Sequence, residues 1–183
     1  GDSIVEVVIS DERDEVLLFS KAGRAIRFAE RDVPVMGRTA QGVKGINLRE
    51  DDEVVGVVLV RRDTAVLTIS ETGWGKRTAL EEFPLQKRGG LGTLVVTAGA
   101  EVDPLVGALE VVPTDEVTIV TAAGAVSRTS ASKLPEQGRR ARGVQVASLA
   151  EGDRVVEVNG KPVEADDSVM IKKKEVIEEP IKK

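Results

Sequence analysis

An all-β fold of the propeller or pinwheel kind, with about three four-stranded blades, is predicted by three features of this sequence. An apolar strand, a glycine and a short basic strand follow one another three times: EVLLFSKAGRAIRF at 15–28, AVLTISETGWGKRT at 65–78 and EVTIVTAAGAVSRT at 116–129. The turn glycines, Gly23, Gly73 and Gly124, lie 50 and then 51 residues apart, which is the period of a propeller blade. Short valine-rich runs broken by glycine dominate the chain, and no long segment carries a helical period.

Each part of the chain then has a place. Residues 1–14, with GDSIVEVVIS, read as the closing strand of a preceding blade, and 15–63, 64–115 and 116–161 as three blade repeats. Within each repeat the first apolar run, such as Val16 to Phe19, is a strand buried on both faces. Val117-Thr118-Ile119 and Val144-Gln145-Val146 show brief period-two alternation, and the glycine after each first run supplies the positive φ of a tight hairpin. Ala79 to Phe83 has room for a single helical turn. A second feature follows each hairpin: TAQGVKGINL at 39–48, QKRGGLGTLV at 86–95 and QGRRARGVQV at 137–146, aligned on Gly45, Gly92 and Gly143, each followed by an apolar strand. An acidic approach and a valine-rich strand complete each repeat. Residues 162–183 read as a charged, low-complexity tail in which Val169, Met170 and Ile171 are the apolar exception.

Composition removes most chemistry. The 183 residues contain no Cys, His or Tyr, which excludes disulfides, cysteine zinc sites, thiol and phenol nucleophiles and imidazole bases. No phosphate-cradling loop or nucleophile elbow occurs. The 31 acidic residues lie mostly in runs such as Glu50-Asp51-Asp52-Glu53, the pattern of solvated loops; a carboxylate–metal hydrolase would require them to gather in one pocket. The expectation is a non-catalytic chain with neither cofactor nor metal. No apolar run spans a membrane and no signal peptide is visible, so the expected location is cytoplasmic.

The net charge of −5 argues against nucleic acid as a partner, but its distribution argues for one. Lys21, Arg24, Arg27, Arg31, Arg38, Lys44 and Arg49 face only Glu30 and Asp32 between 21 and 49. Arg128, Lys133, Arg139, Arg140 and Arg142 face only Glu136 between 128 and 143. Between 94 and 127 no basic residue occurs. A repeating fold can gather such blocks on one rim.

The heptapeptide QKRGGLG at 86–92 closely resembles the Gln-basic-Arg-Gly-Gly-basic-Gly box of the C-terminal domain of the DNA gyrase A subunit. EVLLFSKAGRAIRF, MGRTAQGVKGINL and GWGKRTALEEFPL are similar to consecutive blades of that family, and the likeness runs from about 2 to 158. It implies a β-pinwheel of which this chain resembles the last three of six blades. The implied function is binding and bending of double-stranded DNA on a basic outer rim, within a bacterial, nucleoid-associated, ATP-dependent type II topoisomerase. The implied partners are the gyrase B subunit, together with the rest of the gyrase A subunit. The topoisomerase IV pinwheel is the related alternative, and a propeller scaffold for other proteins the alternative in kind. Two departures stand out. Leu91 occupies a position that is basic in the family, and the box falls in the second of three repeats rather than in the family's first blade.

Expected DNA contacts are Arg24, Arg27, Arg31, Arg38, Lys44, Lys76, Arg77, Gln86, Lys87, Arg88, Arg128, Arg139, Arg140 and Arg142. Gly89, Gly90 and Gly92 would let backbone amides approach a phosphate. Trp74, the single tryptophan, sits at a hairpin tip, placed to pack on the neighbouring blade or to touch DNA. Three blades alone would leave apolar ends near 4–9 and 155–158. Head-to-tail pairing of two copies or a fold-back of the tail would cover them.

Overall fold

A computed structural model describes residues 4–11, 13–61, 64–96 and 103–161, so the tail at 162–183 lies outside the described residues. The chain is all-β. Its strands are β1 (Glu15–Ser20), β2 (Arg24–Ala29), β3 (Val54–Val60), β4 (Ala65–Ser70), β5 (Trp74–Ala79), β6 (Thr93–Leu94), β7 (Leu105–Val111), β8 (Glu116–Thr121), β9 (Val126–Ser130), β10 (Val144–Gln145) and β11 (Val155–Lys161). Three antiparallel sheets result, ordered β3-β1-β2-β6, β10-β5-β4-β7 and β11-β8-β9.

Each repeat builds its sheet in the same way. β1 with β2, β4 with β5, and β8 with β9 form hairpins. Gly23, Gly73 and Gly124 have φ of 77°, 81° and 83°, a region that costs a β-carbon-bearing residue strain. The valine-rich strand returns along the hairpin's other side, with a register shift at Phe19/Ser20, Ile69/Ser70 and Val155/Glu157. An aspartate just before that strand explains the acidic approach. Oδ1 of Asp52, Asp103 and Asp153 accepts the hairpin-tip amides of Ala22, Thr72 and Ala123 at 2.9, 3.2 and 3.0 Å. At Asp153 the hydroxyl of Thr121, then backbone amides including that of Ala123, hold the carboxyl below the usual carboxylate range. A single-turn 3-10 helix follows each hairpin, at Glu30–Asp32, Leu80–Glu82 and Ala131–Lys133.

Repeat and sheet do not coincide. The fourth strand of the first sheet, β6, comes from the second repeat and pairs Thr93 with Ala25 and Leu94 with Arg24. The fourth strand of the second sheet, β10, comes from the third repeat and pairs Val144 with Gly75 and Gln145 with Trp74. The third sheet has three strands among the described residues. Residues 4–11, expected as a closing strand, form no strand. Such a strand needs a preceding hairpin to pair with, and the described residues supply none. Ile4, Val7 and Ile9 are accordingly exposed.

The sheets stack face to face through two apolar cores. Leu17, Phe19, Ala25 and Val58 of the first sheet meet Val66, Phe83, Val95 and Leu105 of the second repeat, with Phe19 and Phe83 edge to face at 5.8 Å. Leu67, Ile69 and Val111 meet Val117, Ile119, Leu134 and Val155 in the other core. Val16 and Leu18 line the opposite face of the first sheet with Ile26, Phe28 and Ile46, so this strand is packed on both sides. β3, β7 and β11 adjoin one another along one side of the stack. β6 and β10 therefore lie on the opposite, outer edge.

Candidate nucleic-acid interface

The outer edge is built by the three heptapeptide loops. The second and third are fastened to the preceding sheet by the same backbone bonds. The amides of Gln86 and Gln137 donate to the carbonyls of Arg27 and Arg77 at 2.8 and 2.9 Å, and those of Val95 and Val146 to Gly23 and Gly73 at 2.9 and 2.8 Å. The glycine that ends each loop allows close passage over the sheet. A β-carbon on Gly92 would fall 2.4 Å from the Ala25 oxygen, and one on Gly143 2.5 Å from the Gly75 oxygen.

Within this frame the expected contact residues divide into two sets. One set faces inward. Arg27 donates to Glu15 at 2.5 Å and to the carbonyls of Leu80 and Phe83 at 3.0 and 3.1 Å, at the next repeat's 3-10 turn. Arg77 repeats this one blade later, donating to the Leu134 carbonyl at 2.8 Å and pairing with Glu136 at 3.6 Å. Arg24 bonds the carbonyls of Leu91 and Gly92, both at 3.3 Å. The third residue of each loop is a strut: Arg88 Nε donates to the Asp32 carbonyl at 2.8 Å and Arg139 Nε to the Glu82 carbonyl at 2.9 Å. Lys76 is 1% exposed. Of the expected phosphate ligands, Arg24, Arg27, Lys76, Arg77, Arg88 and Arg139 thus direct donors into the protein. Their donors are largely occupied by backbone carbonyls, because a guanidinium or ammonium satisfies several orphan carbonyls between sheets at once.

The other set faces outward. Arg31, Arg38, Lys44, Lys87, Arg128, Arg140 and Arg142 are exposed. The second loop lies against the first repeat: Arg88 Nη1 donates to the Lys44 carbonyl at 3.0 Å, and the Gly89 amide to the Gly45 carbonyl at 2.5 Å. Lys44, Lys87 and Arg31 (beside Asp32) therefore share one neighbourhood. Arg140 and Arg142 hold the corresponding place one blade on. The Arg142 guanidinium lies 4.0 Å over the Trp74 ring, so the tryptophan packs on the following repeat's loop, through a cation–π contact. Gln86 is half-buried, and the carbonyl of Gly90 accepts the Asn47 amide at 2.8 Å. Arg128, the counterpart of Arg27 and Arg77, has no following 3-10 turn to bind among the described residues.

Among the described residues one carboxylate trio, Asp11, Asp14 and Glu30, lies within 4.8 Å. Asp14 pairs with Arg61 at 3.1 Å and Glu30 accepts Ser10, so two of the three are engaged within the chain. No helix among the described residues is long and apolar enough to cross a membrane.

The family described as "DNA gyrase C-terminal domain, beta-propeller" matches three times, at 14–61, 64–111 and 115–159. The chain is 40% identical over 156 residues to the DNA gyrase A subunit of Salmonella typhimurium, covering 85% of this chain and 18% of that protein. It is 36% identical over 184 residues to the DNA gyrase A subunit of Mycolicibacterium smegmatis, covering 98% and 22%. It thus spans about a fifth of the length of these relatives. Among solved structures, a DNA gyrase A C-terminal domain superposes with a TM-score of 0.75 at 35% identity, covering 81% of this chain and 51% of that one. The C-terminal domain of a DNA topoisomerase IV superposes with a TM-score of 0.81 at 26% identity, covering 85% and 49%.

Proposed function

The chain belongs to the DNA gyrase C-terminal domain β-propeller family, and on that premise we propose that it binds duplex DNA along its outer edge and bends it. Its own role is non-catalytic, within a bacterial type II topoisomerase assembled from the gyrase B subunit together with the remainder of the gyrase A subunit.

One observation carries the reading. Two consecutive loops, fastened by the same backbone bonds, present exposed basic residues at the outer edges of consecutive sheets: Lys87 at one, with Lys44 of the first loop beside it, and Arg140 and Arg142 at the next. Contacts of this kind go to phosphates, release counterions and carry little base information. Bending 20–30 bp by 40–90° costs on the order of 1–6 kcal/mol, and contacts repeated blade by blade offset it. The arginines turned inward serve this function indirectly, since they fix the spacing between loops.

A duplex-DNA titration at several salt concentrations tests the reading. With about six phosphates neutralised, log K falls against log salt with a slope of roughly −5. A slope near zero, or no retention on a heparin column, overturns it in favour of a protein-binding scaffold.

A further inference from the structure

Lys76 stands where the first repeat has Ile26 and the third Ser127. At this position the side chain lies beneath the following repeat's heptapeptide loop. Over Ile26, a β-carbon on Gly90 would sit 3.5 Å from its Cδ1. Ile26 is fully buried, so hydrocarbon suffices to fill the space. A lysine in the second repeat therefore carries a desolvation cost that packing does not demand.

The ammonium makes specific use of its site. It donates to the carbonyls of Val95 at 2.9 Å and Gly138 at 3.0 Å, and to that of Arg139. Three donors meet three acceptors. Two of those carbonyls belong to the loop at 137–143 that bears Arg140 and Arg142. Because a trans peptide directs its C=O and N–H oppositely, inward carbonyls fix the plane of the backbone from which these arginines project. We propose that Lys76 is a positioning residue of the nucleic-acid edge: its buried ammonium holds the 137–143 loop in the conformation that presents Arg140 and Arg142, and its charge adds to the attraction on phosphate without touching it. The proposal rests on the DNA-binding reading above.

The charged groups facing the ammonium are Arg139 on the loop and Glu82 on the 3-10 turn. Thr68 stands opposite on β4. Burial first and Arg139 second push Lys76 down to about 8, against an upward pull from Glu82. It is thus charged at pH 7 and largely neutral at pH 9.5. A phosphate outside the loop favours the charged form, so the complex keeps the proton to higher pH than the free protein. Affinity must then fall as pH rises through this window. His, Cys and Tyr are absent, and the α-amino group, the other group titrating there, is retained in any Lys76 variant.

The test compares the chain with Lys76→Met and with Lys76→Ile, which copies the first repeat; circular dichroism and thermal melts verify that each variant folds. Three results are expected. Duplex affinity at pH 7 drops about threefold to tenfold in both variants, as for one removed charge acting through protein. The fall in affinity from pH 7 to 9.5 seen in the unsubstituted chain is flattened in both. Without DNA, Trp74, whose ring is covered by Arg142 of the same loop, becomes more open to acrylamide quenching. Folded variants that keep the parent's affinity, pH profile and Trp74 quenching overturn the proposal. If the parent fails to bind DNA, the underlying reading falls with the charge contribution, and the quenching comparison alone decides whether Lys76 positions the loop.

Discussion

Single residues in this protein show how differently one charge type is used. Lys87 and Arg142 are exposed on successive loops, whereas Lys76 is enclosed. Lys87→Ala and Arg142→Ala should each weaken duplex binding about twofold to fivefold, and equally on unrelated sequences, since phosphate contacts carry no base code. Competition assays with several duplexes check this, and a loss confined to one sequence would refute it. For Lys76 the folded-state value near 8 lies below the unfolded value of 10.5. Below pH 8 the lysine is charged in both states, and folding must desolvate the charge. Above it the folded chain sheds the proton first, so stability rises with pH until the unfolded chain follows. Relative to Lys76→Met, the parent chain should gain about 2–3 kcal/mol between pH 7 and pH 10.5, read from urea unfolding at each pH; a constant difference counts against the burial described. The sequence showed where the basic residues cluster but not which way they point. An arginine beside a turn glycine in an acidic chain has the same local text whether it meets solvent or a carbonyl of the next blade. A usable signal was present at Lys76, whose counterpart in the first repeat is the buried Ile26.

At the scale of elements, the three hairpins are legible because their spacing, glycines and valine runs follow directly from turn stereochemistry and sheet packing. The 3-10 turn after β5 was legible as well. The outermost strands were legible in place but not in pairing: β6 and β10 follow Gly92 and Gly143 as short strands of two residues each, and their partners lie in another repeat. The recurring aspartates that clasp the hairpin tips were visible only as an acidic approach, because the bond they make spans the length of a blade. The arginine following each hairpin offers a test of how blades are joined. Arg27 and Arg77, with side chains 17% and 14% exposed, each bridge to the next repeat, while Arg128 is exposed. Arg27→Ala and Arg77→Ala should each cost about 1.5–3 kcal/mol by leaving buried carbonyls without donors. Arg128→Ala should stay within about 0.5 kcal/mol, as for an ordinary surface change. Equal costs at all three sites in chemical denaturation would show that the inter-blade bonds contribute nothing particular.

For the whole molecule, two of the apolar cores lie between sheets, so neighbouring blades stabilise one another and the outer loops inherit a fixed spacing. A rigid row of basic loops should bend DNA and not merely coat it. The chain should therefore speed ligase-driven circularisation of duplexes near one persistence length, about 150 bp, and substitution of Lys44, Lys87, Arg140 and Arg142 by Ala should abolish the gain. Binding without faster circularisation would leave an adhesive surface and remove the bending role. The loan of β6 and β10 to the preceding sheet has a further consequence, for the order in which the protein is made. A ribosome releases the chain from its N-terminus, so the first sheet must wait, its outer edge bare, until Thr93 and Leu94 have emerged, and the second must wait for Val144 and Gln145. Each of these two blades is finished by its successor, and translation completes them in sequence.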